Sequence, residues 1–335
     1  MNSLSEANTH FALDLFQQFK KSKKDNIFYS PLSITSALAM TYSGAQGNTA
    51  LQIGQVLRFN DVTDNTRESP TTAQVEKLGN VHHQFQKLLT ELKKPTDAYE
   101  LSIANRLYGE KTFQFQQEYV ENVKKFYLAG VESADFINAA EESRKKINSW
   151  VESQTNGKIK DLFPDSSLSS AILVLVNAVY FKGQWDKKFD KEYTVEEKFW
   201  LNKLEDKLTA EKLIEWTSSQ NMRERFVDLY LPRFKVEESY DLKDTMMSLG
   251  MLDAFSPQDA DFSGMTGSRS LVVSKILHKS FVEVNEEGTE AAAATGIEFG
   301  LLSTSIQFHC DHPFLFFIKH NKTNSILFLG RVSSP

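Results

Sequence analysis

The sequence predicts an α+β domain built around large sheets. Three observations predict it: helical and strand patterns are interspersed without strict alternation, a continuous Val-rich apolar run fills residues 171–181, and no internal repeat or low-complexity linker divides the chain. At 335 residues the length alone fits one large domain or two, and 41% hydrophobic residues, with 25 Phe, supply an aromatic-rich core.

Leu4, Ala7, Phe11, Leu15 and Phe19 recur at helical spacing, so the chain opens with an amphipathic helix. Residues 26–29 form a short apolar strand, and Ser30-Pro31 then starts a helix with Pro near its first turn. Gly44 and Gly47 punctuate the chain before another helix that runs to Leu57. Residues 60–80 are polar and predict a long exposed loop, followed by a helix around residues 82–92. Leu101, Ile103 and Leu107 fall on odd positions, which predicts a strand. Residues 141–155 read as a helix, and the run 171–181 as a strand covered on both faces. Residues 281–284 alternate like a strand, and residues 306–318 are again strand-like.

Several function classes are excluded. The net charge of −6, with acid and base mixed along the chain, lacks the basic face that nucleic acid demands. The densest basic stretch, residues 20–24, reads as a solvated helix end. The N-terminal residues lack a basic start and an apolar run, so no cleavable signal peptide is expected. The longest apolar stretches, 172–181 and 313–318, are too short to span a bilayer. With one cysteine, Cys310, no internal disulfide forms, and a cytoplasmic protein is expected.

No Gly-rich phosphate loop, His-Glu-x-x-His or Gly-x-Ser-x-Gly motif occurs, so neither a metal nor another cofactor is expected. His82 and His83 are adjacent and on a helix point about 100° apart, which prevents them from sharing a metal. Cys310 lies between His309 and His312, which raises a Cys/His nucleophile reading. On a strand, Cys310 and His312 share a face beside the apolar run, which instead reads as a buried structural Cys.

Residues 286–295, Glu-Glu-Gly-Thr-Glu-Ala-Ala-Ala-Ala-Thr, are unusual. They fit a short alanine helix, weakened by Gly288 and stopped by Gly296. They also fit a run of small residues between two strands, able to enter a sheet with little loss of side-chain entropy. At period two, Thr289, Ala291, Ala293 and Thr295 share one face, and Glu290, Ala292 and Ala294 the other.

This segment, with Glu286 and Glu287 at its start, closely resembles the hinge of the serpin family. Residues 308–318 (Phe-His-Cys-Asp-His-Pro-Phe-Leu-Phe-Phe-Ile) resemble its C-terminal signature. Residues 26–39 resemble its early strand-to-helix motif, and residues 177–185 (Asn-Ala-Val-Tyr-Phe-Lys-Gly-Gln-Trp) the end of its central strand. The motifs occur in the family's order and the likeness covers nearly the whole chain, closest to the intracellular clade B group around the squamous cell carcinoma antigens.

The resemblance implies one domain over residues 1–335, with a large mixed sheet, smaller sheets, about eight to nine helices and an exposed reactive loop at about residues 286–305. It implies a suicide substrate that traps a protease when its loop is cut and the hinge inserts into the large sheet. Counted from Glu286 in the family's register, the reactive bond is Leu302–Ser303, flanked by Phe299 and Leu301. Leu302 suits chymotrypsin-like serine proteases, and Leu301 suits cathepsin-like cysteine proteases. The same resemblance assigns Ser30, Ser33, Asn177 and His278 to a shutter that lets the sheet open, and Trp185 to a breach where insertion starts. From sequence alone Ser30 also fits a helix cap, Trp185 a core residue and His278 a satisfied polar group. The chain is expected to be a non-enzymatic monomer, cytoplasmic and also released by an unconventional route, with no nucleic-acid or membrane partner.

One departure stands out. Lys203 is followed directly by Leu204, where the family carries roughly fifty more residues, enough for several strands with their turns. The second core sheet is therefore expected to be incomplete. The chain is also expected to be less stable than a full-length relative and to inhibit poorly or not at all, as a non-inhibitory or shortened member of the family would.

Overall fold

The computed structural model describes residues 2–60, 73–200, 208–218, 220–286 and 306–335. Among these residues the helices are α1 (Asn2–Ser22), α2 (Pro31–Tyr42), α3 (Gly47–Val56), α4 (Ala73–Leu92), α5 (Gln117–Tyr127), α6 (Ala140–Gln154), α7 (Ala210–Trp216), α8 (Lys243–Leu249) and α9 (Ser263–Thr266). The strands are β1 (Ile27–Tyr29), β2 (Tyr99–Glu110), β3 (Gly130–Ala134), β4 (Leu173–Gly183), β5 (Val227–Tyr230), β6 (Phe234–Asp241), β7 (Val273–Val284), β8 (Ile306–His309), β9 (Phe314–His320) and β10 (Ser325–Val332). The α+β expectation holds.

A five-stranded mixed sheet, in the order β3-β2-β4-β7-β6, is the backbone of the molecule. Both its faces are covered. Leu173, Leu175 and Val179 of β4 face the main core with α1, α2, β1 and β10, whereas Val174, Val176, Ala178 and Tyr180 join a second cluster with Ile147 and Val151 of α6. This double burial explains why β4 reads as a continuous apolar run rather than an alternation.

A three-stranded sheet, β1-β10-β9, contributes β1 and β10 to the main core, and β5 and β8 pair in a separate two-stranded parallel sheet. β10 is buried at every position, but β9 is only half-buried and Phe317 is exposed. On β5 and β8 the apolar Val227, Leu229, Ile306 and Phe308 keep 45%, 38%, 56% and 57% of their surface in solvent.

Three local expectations change. Residues 306–318 are two strands in different sheets, β8 and β9, separated at 310–313 where Pro313 cannot donate to a ladder. The polar stretch 60–80 is not all loop, because α4 already begins at Ala73 and extends through Val81, Phe85 and Leu88, which are buried on its inner face. The short alternation at 281–284 is the end of the twelve-residue β7.

Candidate functional site

The centre of the large sheet is a parallel seam. β4 pairs in parallel with β7, from Leu173 opposite Val273 to Phe181 opposite Val282, whereas β2 lies antiparallel to β4 and β6 antiparallel to β7. Parallel ladders are slightly weaker per residue than antiparallel ones. A strand that turned back from the end of β7 and entered this seam would run antiparallel to both neighbours. The segment 287–305 follows β7 directly and leads to β8. Its first part, from residue 287 to residue 302, can reach on the order of 50 Å when extended. The eleven residues of β4 span roughly 36 Å, so the chain is long enough to fill the seam.

A polar row crosses the sheet on the face toward α2. Asn105 of β2 is registered with Asn177 of β4, Asn177 with His278 of β7, and His278 with Tyr240 of β6. Ser30 caps α2: its Oγ accepts from the Ser33 N–H at 3.2 Å and donates to the Leu327 carbonyl at 2.7 Å. The Ser30 N–H donates to His278 Nε2 at 3.1 Å, so the imidazole carries its proton on Nδ1, which donates to Asn177 Oδ1 at 2.5 Å. Asn177 Nδ2 in turn donates to the Ser33 hydroxyl at 2.5 Å and carbonyl at 3.2 Å. Complete burial pushes the His278 imidazole down to about 3, so it is neutral near pH 7 and serves both neighbours in one tautomer. Ser33, Asn177 and His278 thus tie β4, β7 and α2 together at the middle of the seam.

The end of the seam nearest the segment 287–305 is closed by a second set of contacts. The Trp185 indole N–H, just past β4, donates to the Asn285 carbonyl, just past β7, at 2.9 Å. Its ring meets Phe189 edge-on, and the Phe189 N–H donates to the Glu286 carbonyl at 3.0 Å. Glu286 is 6% exposed. It accepts from the Thr194 hydroxyl at 2.8 Å and lies 3.5 Å from Arg233 Nε. Burial alone would raise its carboxyl, but hydrogen bonds from its own backbone N–H and Thr194, with the charges of Arg233 and Lys191, hold it below the usual carboxylate range.

The structure therefore brings Ser30, Ser33, Asn177 and His278 into one network, and Trp185 and Glu286 into another. Ser30 is both the helix cap and a network member. Glu287, Gly288, Thr289, Glu290, Ala291, Ala292, Ala293, Ala294 and Thr295, like Phe299, Leu301, Leu302 and Ser303, lie outside the described residues, as does the Lys203–Leu204 junction. Sequence reasoning missed Ser36, Asn105, Thr194 and Arg233. Asn105 left a signal: it takes the odd position between Ile103 and Leu107 on an otherwise apolar face.

Cys310 does not sit in a nucleophile's surroundings. It follows β8 rather than lying in a strand and is half-buried, which corrects the fully buried reading. Burial, with Asp311 beside it, pushes its thiol up rather than down. The His309 ring stacks on Tyr230 at 4.1 Å, and His312 Nδ1 is engaged by Asp311 at 2.8 Å.

Comparison with known proteins agrees with this geometry. The family model described as "Serpin (serine protease inhibitor)" matches residues 6–203 and 200–335. Human serpin B3 is 60% identical and human serpin B4 59%, each alignment covering all of both chains. Both alignments run over 391 positions against a chain of 335 residues, which leaves 56 without a counterpart here. The two stretches of the family match meet at residues 200–203, where the sequence placed its gap. The crystal structure of uncleaved ovalbumin superposes with a TM-score of 0.86 at 35% identity, over 99% of this chain and 100% of that one. The chain is a member of the serpin family, within its clade B.

Proposed function

We propose that this chain is a suicide-substrate inhibitor that traps a protease by inserting its cut loop into the β4–β7 seam. The observation that carries the reading is the seam itself: a central parallel pair, locked by Asn177 and His278 and closed at its mouth by Trp185, directly continuous with the segment 286–305. The protease's hydroxyl or thiol attacks the carbonyl carbon of Leu302. The Leu302–Ser303 bond breaks, Ser303 leaves as a new N-terminal amine, and the protease stays joined to Leu302 as an ester or thioester. The hinge, residues 286–295, then enters between β4 and β7 before water hydrolyses that bond. The chain supplies the bait and the sheet; the protease supplies the chemistry, so this chain is no enzyme.

Leu302 and Leu301 fit a chymotrypsin-like serine or a cathepsin-like cysteine protease. The inhibitor works as one domain and as a monomer, in the cytoplasm and, after unconventional release, outside it. A second reading, a non-inhibitory member of the fold, is favoured by the 56 missing positions and by the exposed apolar side chains of β5 and β8. The seam and its two sets of contacts argue for the first. The test is incubation with chymotrypsin-like and cathepsin-like proteases, followed by a denaturing gel and sequencing of the new N-terminus. A covalent complex with a cut after Leu302 supports trapping. Cleavage without a complex supports the second reading, and a cut well outside residues 299–304 overturns the register.

A further inference from the structure

The sheet β1-β10-β9 ends on a bare strand. β10 pairs with β9 from Ser325 opposite His320 to Val332 opposite Phe314, and among the described residues no strand pairs with the other edge of β9. Folded proteins guard such edges with lysine, proline, bulges or very short strands. β9 has seven residues, Phe-Leu-Phe-Phe-Ile-Lys-His, with no acid and no proline. Pro313 stands just before the strand, and the register shift of the ladder lies on β10, between Ile326 and Phe328. The two polar side chains turn to their own chain: Lys319 Nζ donates to the Thr217 carbonyl at 3.2 Å, and His320 Nδ1 meets the Thr323 hydroxyl at 2.8 Å.

The strand is also complementary to itself. A two-fold axis normal to a sheet leaves each side chain on its own face, so in a symmetric antiparallel pair one residue sits opposite its own mate. Phe317 is the middle residue of β9, and placing it on the axis overlaps the whole strand. Phe316 then lies opposite Ile318, Leu315 opposite Lys319 and Phe314 opposite His320, so no like charges face each other. Phe317, the exposed residue of the strand, is covered by its own counterpart, whereas Phe314, Phe316 and Ile318 already pack against the main core. Past the ends of the strand, the acid Asp311 of one copy comes within about one residue step of the base Lys322 of the other.

We propose that this edge is an interface for a second copy of this chain: two β9 strands pair antiparallel about Phe317 and join two three-stranded sheets into one of six, β1-β10-β9-β9-β10-β1. No segment is exchanged, and each copy keeps its own seam and loop, so the pairing does not rest on the trapping function above. The overlap is about 24 Å long and one strand wide, smaller than a standard stable interface of about 1,600 Å². The dimer therefore exchanges with the monomer, with a dissociation constant on the order of 10 μM. A dilute copy acts alone, as trapping requires.

The test is sedimentation equilibrium of the intact chain over roughly 1–200 μM. The mean mass should rise from one copy and level off toward two. A mass that stays at one copy overturns the proposal, as does one that climbs past two without levelling. Phe317→Lys and Phe317→Glu each set like charges on the axis and should weaken pairing by roughly tenfold or more, while their equimolar mixture pairs again. Pairing that survives in both variants overturns β9 as the interface, and a mixture that stays monomeric overturns the register. The intact chain supplies a second reading, independent of how the variants fold: amide hydrogens of β9 should exchange more slowly at 200 μM than at 1 μM, and those of β5 and β8 should not change. Equal exchange in β9 at both concentrations also overturns the interface. None of these readings involves a protease, so failure to trap one would count against the trapping function and leave the dimer standing.

Discussion

Asn177 and His278 face each other across the parallel β4–β7 ladder, with His278 Nδ1 donating to Asn177 Oδ1 at 2.5 Å while His278 Nε2 receives the Ser30 N–H. One neutral imidazole thus satisfies two strands and a helix start. Replacing it by His278→Ala leaves the Ser30 N–H and the Asn177 carbonyl oxygen buried without partners. Each orphan costs about 1–3 kcal/mol, so the variant should lose about 2–6 kcal/mol against denaturant. A loss below about 1 kcal/mol would show that the network contributes little to the closed sheet.

The same residue sets a pH dependence. His278 is held at about 3 by burial and His82 at about 4 by burial and the neighbouring His83, both below the 6.5 of an unfolded imidazole. The unfolded chain therefore binds protons that the folded chain refuses, and stability falls as the pH drops below about 6.5. Each histidine contributes a slope of up to roughly 1.4 kcal/mol per pH unit between its two pKa values. His320, also lowered by burial, acts with the same sign. The window from pH 6.5 down to 4.5 isolates the imidazoles, because the lowered carboxylates, Glu286 and Asp261 among them, titrate below it. Unfolding midpoints should be level above pH 7 and decline through this window, less steeply in His278→Gln. A flat profile would contradict the buried neutral tautomer.

The hinge is tested by residue size. On insertion, Thr289 should face the core beneath the sheet, and Thr289→Arg would bury an unpaired charge at a cost of several kcal/mol. Insertion should slow until hydrolysis wins, turning the inhibitor into a substrate. The reading is the number of inhibitor molecules consumed per protease trapped. An unchanged number would remove Thr289 from the inserted face.

The missing positions bear on stability. Val227, Leu229, Ile306 and Phe308 remain 38–57% exposed, and among the described residues no strand pairs with the outer edge of β9. Exposed apolar faces and free edges favour association. The chain should unfold several degrees below human serpin B3 and bind more of a hydrophobic dye at equal concentration. Equal midpoints and equal dye binding would mean that the lost positions contribute little net stability.

Much of the fold was legible for identifiable reasons. The run in β4 is apolar throughout because both faces are packed, and Ser30-Pro31 marks the start of α2 because a cap and an N1 proline leave few other options. The seam lock was legible only through resemblance, although Asn177 and Asn105 each interrupt an apolar face. What no local pattern reveals is register: nothing in the sequence sets Asn105, Asn177 and His278 in line across three strands, because sheet pairing is fixed by the whole packed core. The latch at Glu286 was hidden for the same reason, since Thr194 and Arg233 reach it from distant parts of the chain.

The central claim, that the cut loop becomes a strand between β4 and β7, is tested most directly by cleaving the chain within residues 299–304 and comparing thermal unfolding before and after. Insertion replaces one parallel ladder by two antiparallel ones and buries the hinge, so the intact chain is a kinetically held state and the cut chain should unfold at a much higher temperature. A cut chain that unfolds at or below the temperature of the intact one would contradict insertion, and with it the trap.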